Sequence, residues 1–354
     1  MISSDSSAQT EDAAIEGLRG LAALVVVAVH FAPLVTPAGG PWGFAASGVD
    51  LFFVLSGFVF APYFFGRRLA WAPHLVRRAF RLYPLYLTAL AVYVLLKLPD
   101  PAATRHLAEH VFMLHTLRSP EVAFFYNGAF WSLPPEVEFY LALPLAAGLL
   151  RGRGFGMLFA AALGLHLALV ALADGAQPAS PASIATIHLP GLLVEFCLGA
   201  AAWQLAREGG ARRLRMLAGL LVLAVMLWLY STYIAEDPAR AQFTAHWLAG
   251  NVGVGAACGY ALVVSALAGR PNPSGWRLRL CLLGGQLSYG VYLFHNALLQ
   301  MRVKYGWPID GWVAVACCLL ATLALAWVLH HAIEAPARDF GRNLSRRLAP
   351  ARLA

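Results

Sequence analysis

The chain has 354 residues, of which 60% are hydrophobic and 12% charged, and its formal net charge is +8. A soluble globular chain carries about twice that share of charge, so apolarity of this extent excludes a soluble enzyme and a protein with one anchor. The positive charge falls in short loops between apolar runs, not in a soluble patch interleaved with aromatics, which argues against nucleic acid as a partner.

Residues 1–14 are polar and acidic, without the basic start or small-residue cleavage site of a signal peptide, so the first helix is expected to be retained. Apolar stretches follow at 15–35, 44–65, 82–98, 133–150, 155–173, 185–206, 214–234, 247–268, 281–301 and 311–331. A helix needs roughly 20 apolar residues to cross a bilayer. The fold class is therefore all-α: a polytopic membrane protein with about ten transmembrane helices. Residues 1–14 read as a polar N-terminus, 15–334 as the membrane domain and 335–354 as a basic tail. The longest interval between spans is 99–132, whose apolar piece Val111–Leu117 is too short to cross and reads as re-entrant or interfacial. No internal repeat stands out.

Arginine and lysine set the orientation. Loops on the side of 66–81, together with the tail, hold 19 of these residues, whereas the opposite loops hold 5. The 66–81 side, the N-terminus and the C-terminus are expected to be cytoplasmic, in a bacterial inner membrane. Cys197, Cys258, Cys281, Cys317 and Cys318 lie in or beside apolar runs and form no C-x-x-C pair. They read as inert thiols, with neither a disulfide framework nor a metal site expected.

Ionisable groups inside apolar helices are costly and mark function by default. Arg19 and His30 lie 11 residues apart in IEGLRGLAALVVVAVHF. At 100° per residue they share a face, and the rise between them is about 16 Å. Arg19 falls near the cytoplasmic surface and His30 in the outer half of the bilayer. Taken singly, Arg19 also reads as snorkelling to anionic lipid, and His30 as a bonded packing residue. Asp50, in GVDLFFVLSGF, enters from the outer side at about the depth of His30, where a carboxylate could orient the imidazole. A helix-start carboxylate favoured by the dipole is the other reading. Ser56 and Gly57 read as a small-residue packing contact. Glu136, in WSLPPEVEFY, is placed near the same depth, with Glu138 as a second carboxylate. Pro134 and Pro135 point to a bent or late-starting helix. Trp131 is read as an interface aromatic or an acceptor contact. His295, in LSYGVYLFHN, lies at the depth of His30 as a core histidine or a second acceptor contact. Arg77, Arg78 and Arg81 form RRAFR before the third span, a good phosphate site that the positive-inside rule also explains. Glu334, near the end of the last span, could hold one of these arginines.

Together these pieces resemble the membrane acyltransferase family 3, whose members O-acylate polysaccharides, lipid-linked sugars, Nod factors and antibiotics. The resemblance rests on Arg19 and His30 after GLRG, on GVDLFFVLSGF, RRAFRLYP, WSL-x-x-E-x-x-FY and LSYGVYLFH, and on a closing E-x-P, in that order over the whole chain. It departs at Pro134, Pro135 and Val137, and no esterase-like domain follows the last span, so a stand-alone membrane module is expected. The resemblance implies ten membrane helices, acyl-CoA (mostly acetyl-CoA) as a donor substrate with no permanently bound cofactor, and a hydroxyl-bearing carbohydrate or lipid-linked acceptor. It implies His30 as the essential base, with Arg19, Arg77, Arg78 and Arg81 serving the CoA end. Asp50 or Glu136 would hold the imidazole tautomer or bind the sugar. A transporter or flippase of an envelope glycolipid is the alternative, since mid-depth polar residues also line substrate paths. A structural subunit of an envelope complex would have no reason to align Arg19 with His30.

Overall fold

A computed structural model describes residues 12–36, 40–150, 153–235 and 247–348. The stretch 1–11, and with it most of the expected polar N-terminus, lies outside these residues, as do Arg151, Arg240 and Arg352. The described chain is helical, with no strand. Its ten long helices are α1 (Ala13–Phe31), α2 (Gly48–Phe64), α3 (Trp71–Lys97), α4 (Leu133–Leu150), α5 (Phe155–Ala173), α6 (Leu189–Glu208), α7 (Arg212–Tyr233), α8 (Trp247–Leu267), α9 (Gly275–Tyr305) and α10 (Gly311–Leu329). Among the described residues nine helical segments are long and apolar enough to cross a membrane. The tenth long helix, α9, spans 31 residues, about 46 Å at the helical rise. It is less apolar because Gln286, Ser288, Tyr289, His295 and Asn296 interrupt it. These positions lie on the helix that packs centrally, against α1, α3 and α10.

Small residues set the closest helix crossings, as expected where lipid removes the hydrophobic drive for helix pairing. A Cβ on Gly20 of α1 would lie 2.8 Å from the Gly284 backbone of α9. A Cβ on Gly57 of α2 would lie 1.9 Å from the Phe196 carbonyl oxygen of α6, the packing contact expected of that residue. The α1–α9 crossing brings the two histidine-bearing helices into register.

Two elements depart from the sequence reading. Helix α3 begins at Trp71, not at 82, because the RRAFR segment is itself helical and continuous with the apolar run. The basic tail is a helix over Ala335–Arg347 (α11) that packs on α3, with Phe80 against Phe340. A π-helical turn, His330–Glu334, joins α10 to α11 just before Pro336, which has no N–H to give the preceding turn. It leaves Glu334 buried.

The interval 99–132 folds as short helical turns onto α3 and α9. Tyr86 donates to the His110 carbonyl at 2.7 Å and Tyr126 to the Ala103 carbonyl at 2.7 Å. Asn127 donates to the Leu293 carbonyl of α9 at 3.1 Å and accepts from Asn296 at 2.7 Å. The interval thus re-enters the bundle, deepest at 127–132 and not at 111–117. Helix α4 starts late, as its prolines imply: both sit in the first turn, where their missing N–H groups cost nothing. The arginine-rich ends converge, since Asp12 accepts from Gly269, Arg215 reaches the Ser265 carbonyl, and Phe65 packs on Phe155 and Trp203.

Candidate active site

Arg19, Arg78 and Arg81 line one cavity, of about 720 Å³ with its open mouth. Arg78 and Arg81 stand three residues apart on α3 and so share a face. Arg77 is rotated 100° from Arg78 and does not line the cavity, which corrects its expected place beside them. Arg19 is held by Glu16 at 2.5 Å. Arg81 stands in the field of Glu334, Glu136 and Glu16. The Arg78 guanidinium lies over the rings of Phe60 and Tyr140, at 5.2 and 5.6 Å, and its buried Nε has no hydrogen-bond partner. Glu334 bonds His330 at 3.0 Å and pairs with Arg338 at 3.8 Å. It holds an arginine of its own helix while contributing to the field at Arg81.

Glu136 belongs to this cavity, where its carboxylate accepts a short hydrogen bond from Tyr140. The sequence reading had placed it beside His30. The difference arises because α4 starts inside the bundle, so position 136 lies deeper than a count from the surface implies. Glu138 is engaged elsewhere: it accepts from His188 at 2.5 Å and from the Leu189 N–H at 2.8 Å, capping α6.

His30 and His295 meet, with ring centroids 4.7 Å apart. The Nδ1 of His30 lies 2.9 Å from the Val26 carbonyl, which only accepts, so Nδ1 carries the proton and Nε2 presents its lone pair. His295 is arranged likewise, with Nδ1 3.2 Å from the Val291 carbonyl and a buried Nε2 without a partner. Gly128 borders His30: a Cβ there would lie 3.9 Å from Nε2. Trp131 packs edge-on to Phe53 on the α2 side.

Asp50 is not in this group. Its carboxyl is hydrogen-bonded to Glu195 of α6, and a Cβ on Gly253 of α8 would lie 3.6 Å from its Oδ1. On α2 it is Gly48 that meets α1, against the Ala22 carbonyl, and position 50 is rotated 200° from it. The expected Asp50–His30 pairing is therefore corrected. Ala22 lies eight residues inward of His30, so both the level and the azimuth of Asp50 depend on where α2 packs against its neighbours.

Comparison with known proteins fits this arrangement. An acyltransferase domain family matches residues 12–331. The chain belongs to that family of membrane acyltransferases. Nodulation protein 10 of Rhizobium leguminosarum bv. viciae is 27% identical over 369 aligned positions, covering 94% of this chain and 95% of that protein. Acyltransferase MdmB of Streptomyces mycarofaciens is 27% identical over 393 positions, covering 95% and 94%. No solved structure matches. Membership decides between enzyme and carrier: the protein is a multi-pass transferase of acyl groups.

In the acyltransferase the arginine cavity stops one turn short of the histidines. Ser132 and Tyr292, the latter three residues before His295 on α9, line it, and neither His30 nor His295 does. The Tyr292 hydroxyl donates to the Ala129 carbonyl at 2.6 Å and lies 2.5 Å from Ser132 Oγ. The Tyr292 ring is 6.2 Å from that of His295. Sequence reasoning passed over Ser132, Tyr292, Asn127 and Asn296. A usable signal existed in α9, where Tyr289, Tyr292 and His295 recur every three residues.

Proposed function

We propose that the protein transfers an acyl group, acetyl in the simplest case, from cytoplasmic acyl-CoA to a hydroxyl of a carbohydrate, glycolipid or related acceptor. The supporting observation is the placement of a three-arginine cavity and a histidine pair along one face of α1, about 16 Å apart. Arg78, Arg81 and Arg19 would hold the CoA phosphates, for which guanidinium groups are suited. The pantetheine arm would then follow the cavity toward His30, with the arginine-rich end facing the cytoplasm of a bacterial inner membrane. The acceptor reaches His30 from the opposite end, where Trp131 and His295 border its path.

The chemistry follows from the tautomer. Nε2 of His30 takes the acceptor hydroxyl proton as the oxygen attacks the thioester carbonyl. The C–O bond forms, the C–S bond breaks, and the thiolate leaves with the proton from the imidazolium. Nδ1 stays bonded to Val26 throughout, which fixes the ring. His295 lies against the ring and offers a second nitrogen to the acceptor.

The test is acyl transfer by purified protein given acetyl-CoA and extracted envelope glycans or glycolipids. His30→Ala is expected to lower turnover at least 100-fold, the scale of a lost general base. Turnover that survives this substitution would refute the assignment.

A further inference from the structure

We propose that Tyr292, latched to the 128–132 turn, is the partition between the donor cavity and the histidine pair, opening only for transfer to a bound acceptor. This rests on the reading of the arginine cavity as the donor site. Three observations carry it. Tyr292 and Ser132 line the cavity, and neither His30 nor His295 does. Tyr292 also touches the far side, with its ring 6.2 Å from His295, which in turn is 4.7 Å from His30. The phenol is held in place by polar bonds to a different segment, the Ala129 carbonyl and the Ser132 hydroxyl, while Phe52 packs on the ring edge-on at 5.7 Å.

The bonding pattern suits a latch. The Tyr292 and Ser132 hydroxyls, 2.5 Å apart, both lie within reach of the Ala129 carbonyl, at 2.6 and 3.4 Å, so their two protons serve one closed triangle of oxygens. One rotation of the tyrosine about its side-chain torsions breaks both bonds at once, and the incoming thioester offers a replacement: its carbonyl oxygen can accept from the freed phenol. Closed, the partition keeps water from the acceptor side away from the bound thioester. Without it, water adds to the thioester carbonyl, the C–S bond breaks, and carboxylic acid and CoA thiol are released with no acceptor acylated. Tyr292 is a positioning residue in this scheme, and its role is to exclude water until transfer.

Two measurements test it. The first compares CoA thiol release without acceptor with acceptor acylation. Tyr292→Ala is expected to raise the ratio of hydrolysis to transfer about tenfold, and Tyr292→Phe, which keeps the ring and loses the latch, by less. A tyrosine needed only for packing would lower both rates and leave the ratio unchanged, and that result overturns the proposal. The second measurement needs no acyl-CoA. The thiol introduced by His30→Cys is labelled in inverted vesicles by a charged methanethiosulfonate applied from the arginine-rich side, and the site is read by peptide mass. Adding Tyr292→Ala, or Ser132→Ala where the first variant fails to fold, is expected to raise labelling at position 30. Equal labelling with and without the substitution sinks the partition. If the labelling changes while the unsubstituted protein consumes no acyl-CoA, it is the donor assignment that fails, and the partition stands.

Discussion

Gly128→Ala separates activity from stability at the histidine pair. The added methyl would lie 3.9 Å from His30 Nε2 and 4.0 Å from the Phe124 ring, ordinary contact distances that demand no rearrangement. The backbone at 128 begins a short 3-10 turn and needs no left-handed conformation, so alanine is accepted and removes chain entropy from the unfolded state. Stability is expected to hold or rise by about 0.4–1 kcal/mol. Catalysis is another matter. A hydroxyl oxygen about 2.8 Å from Nε2 must also stay about 3.3 Å from the new carbon, which closes approaches within about 55° of the Nε2–Cβ direction. Hydrogen bonds to an imidazole lone pair tolerate only about 30° of misalignment, so an acceptor entering past Gly128 is displaced. Acceptor-dependent turnover should fall about 100-fold, the usual effect of a displacement of an ångström or so. Acyl-CoA affinity should not change, because the arginine cavity lies beyond Tyr292. The assay pairs initial rates over an acceptor series with thermal unfolding in the same detergent. Turnover within about twofold of the parent, at unchanged acceptor KM, would show that acceptors do not pass Gly128.

Two further outcomes concern the arginines and the histidines of the 99–127 interval. Arg78→Gln and Arg81→Gln should each raise the KM for acyl-CoA about 10–100-fold, the scale of a lost charge-assisted bond, while Arg77→Gln should change it less than about threefold; equal effects at all three positions would contradict the cavity lining. His110 and His115 stack with centroids 4.2 Å apart, and burial, foremost, pushes their pKa values from 6.5 down to about 4 and about 3. The unfolded chain therefore takes up protons below about pH 6.5 while the native pair does not, so stability falls with pH from about 6.5 toward 4. Thermal midpoints at pH 7.5 and 5 should differ in that direction, and a double His110→Gln and His115→Gln variant should lose the part of the difference that this pair carries.

The ten long helices were legible because their signal is local: a run of apolar residues bounded by arginine, proline or glycine. Depth along α1 and α9 was legible too, which is why the sequence matches His30 with His295, whereas the level at which α2 and α4 begin was not. Nor was azimuth. Asp50 misses His30 on both counts: Gly48 meets Ala22, eight residues inward of His30 on α1, so α2 enters deeper than a count from the surface implies, and the Asp50 carboxyl faces Glu195. The Tyr292 latch was hidden for a related reason. Its partner Ser132 is 160 residues away in sequence, on a turn placed by Asn127 and by buried tyrosines and not by its own periodicity.

The electrostatics of the cavity give the arginines unequal standing. Arg19 is bonded to Glu16, and Arg81 stands in the field of Glu334, Glu136 and Glu16. Arg78 instead has the faces of two aromatic rings, which stabilise a cation without neutralising it. Its buried, unbonded Nε leaves a donor to be satisfied, and an unmet donor of that kind costs about 1–3 kcal/mol. An arriving phosphate satisfies that donor and neutralises that charge in one step. At Arg19 and Arg81 it must first compete with carboxylates already in place. On the proposed donor reading Arg78 is therefore the position where a phosphate would gain most, while Arg81 and Arg19 would add their charge from positions already offset by carboxylates.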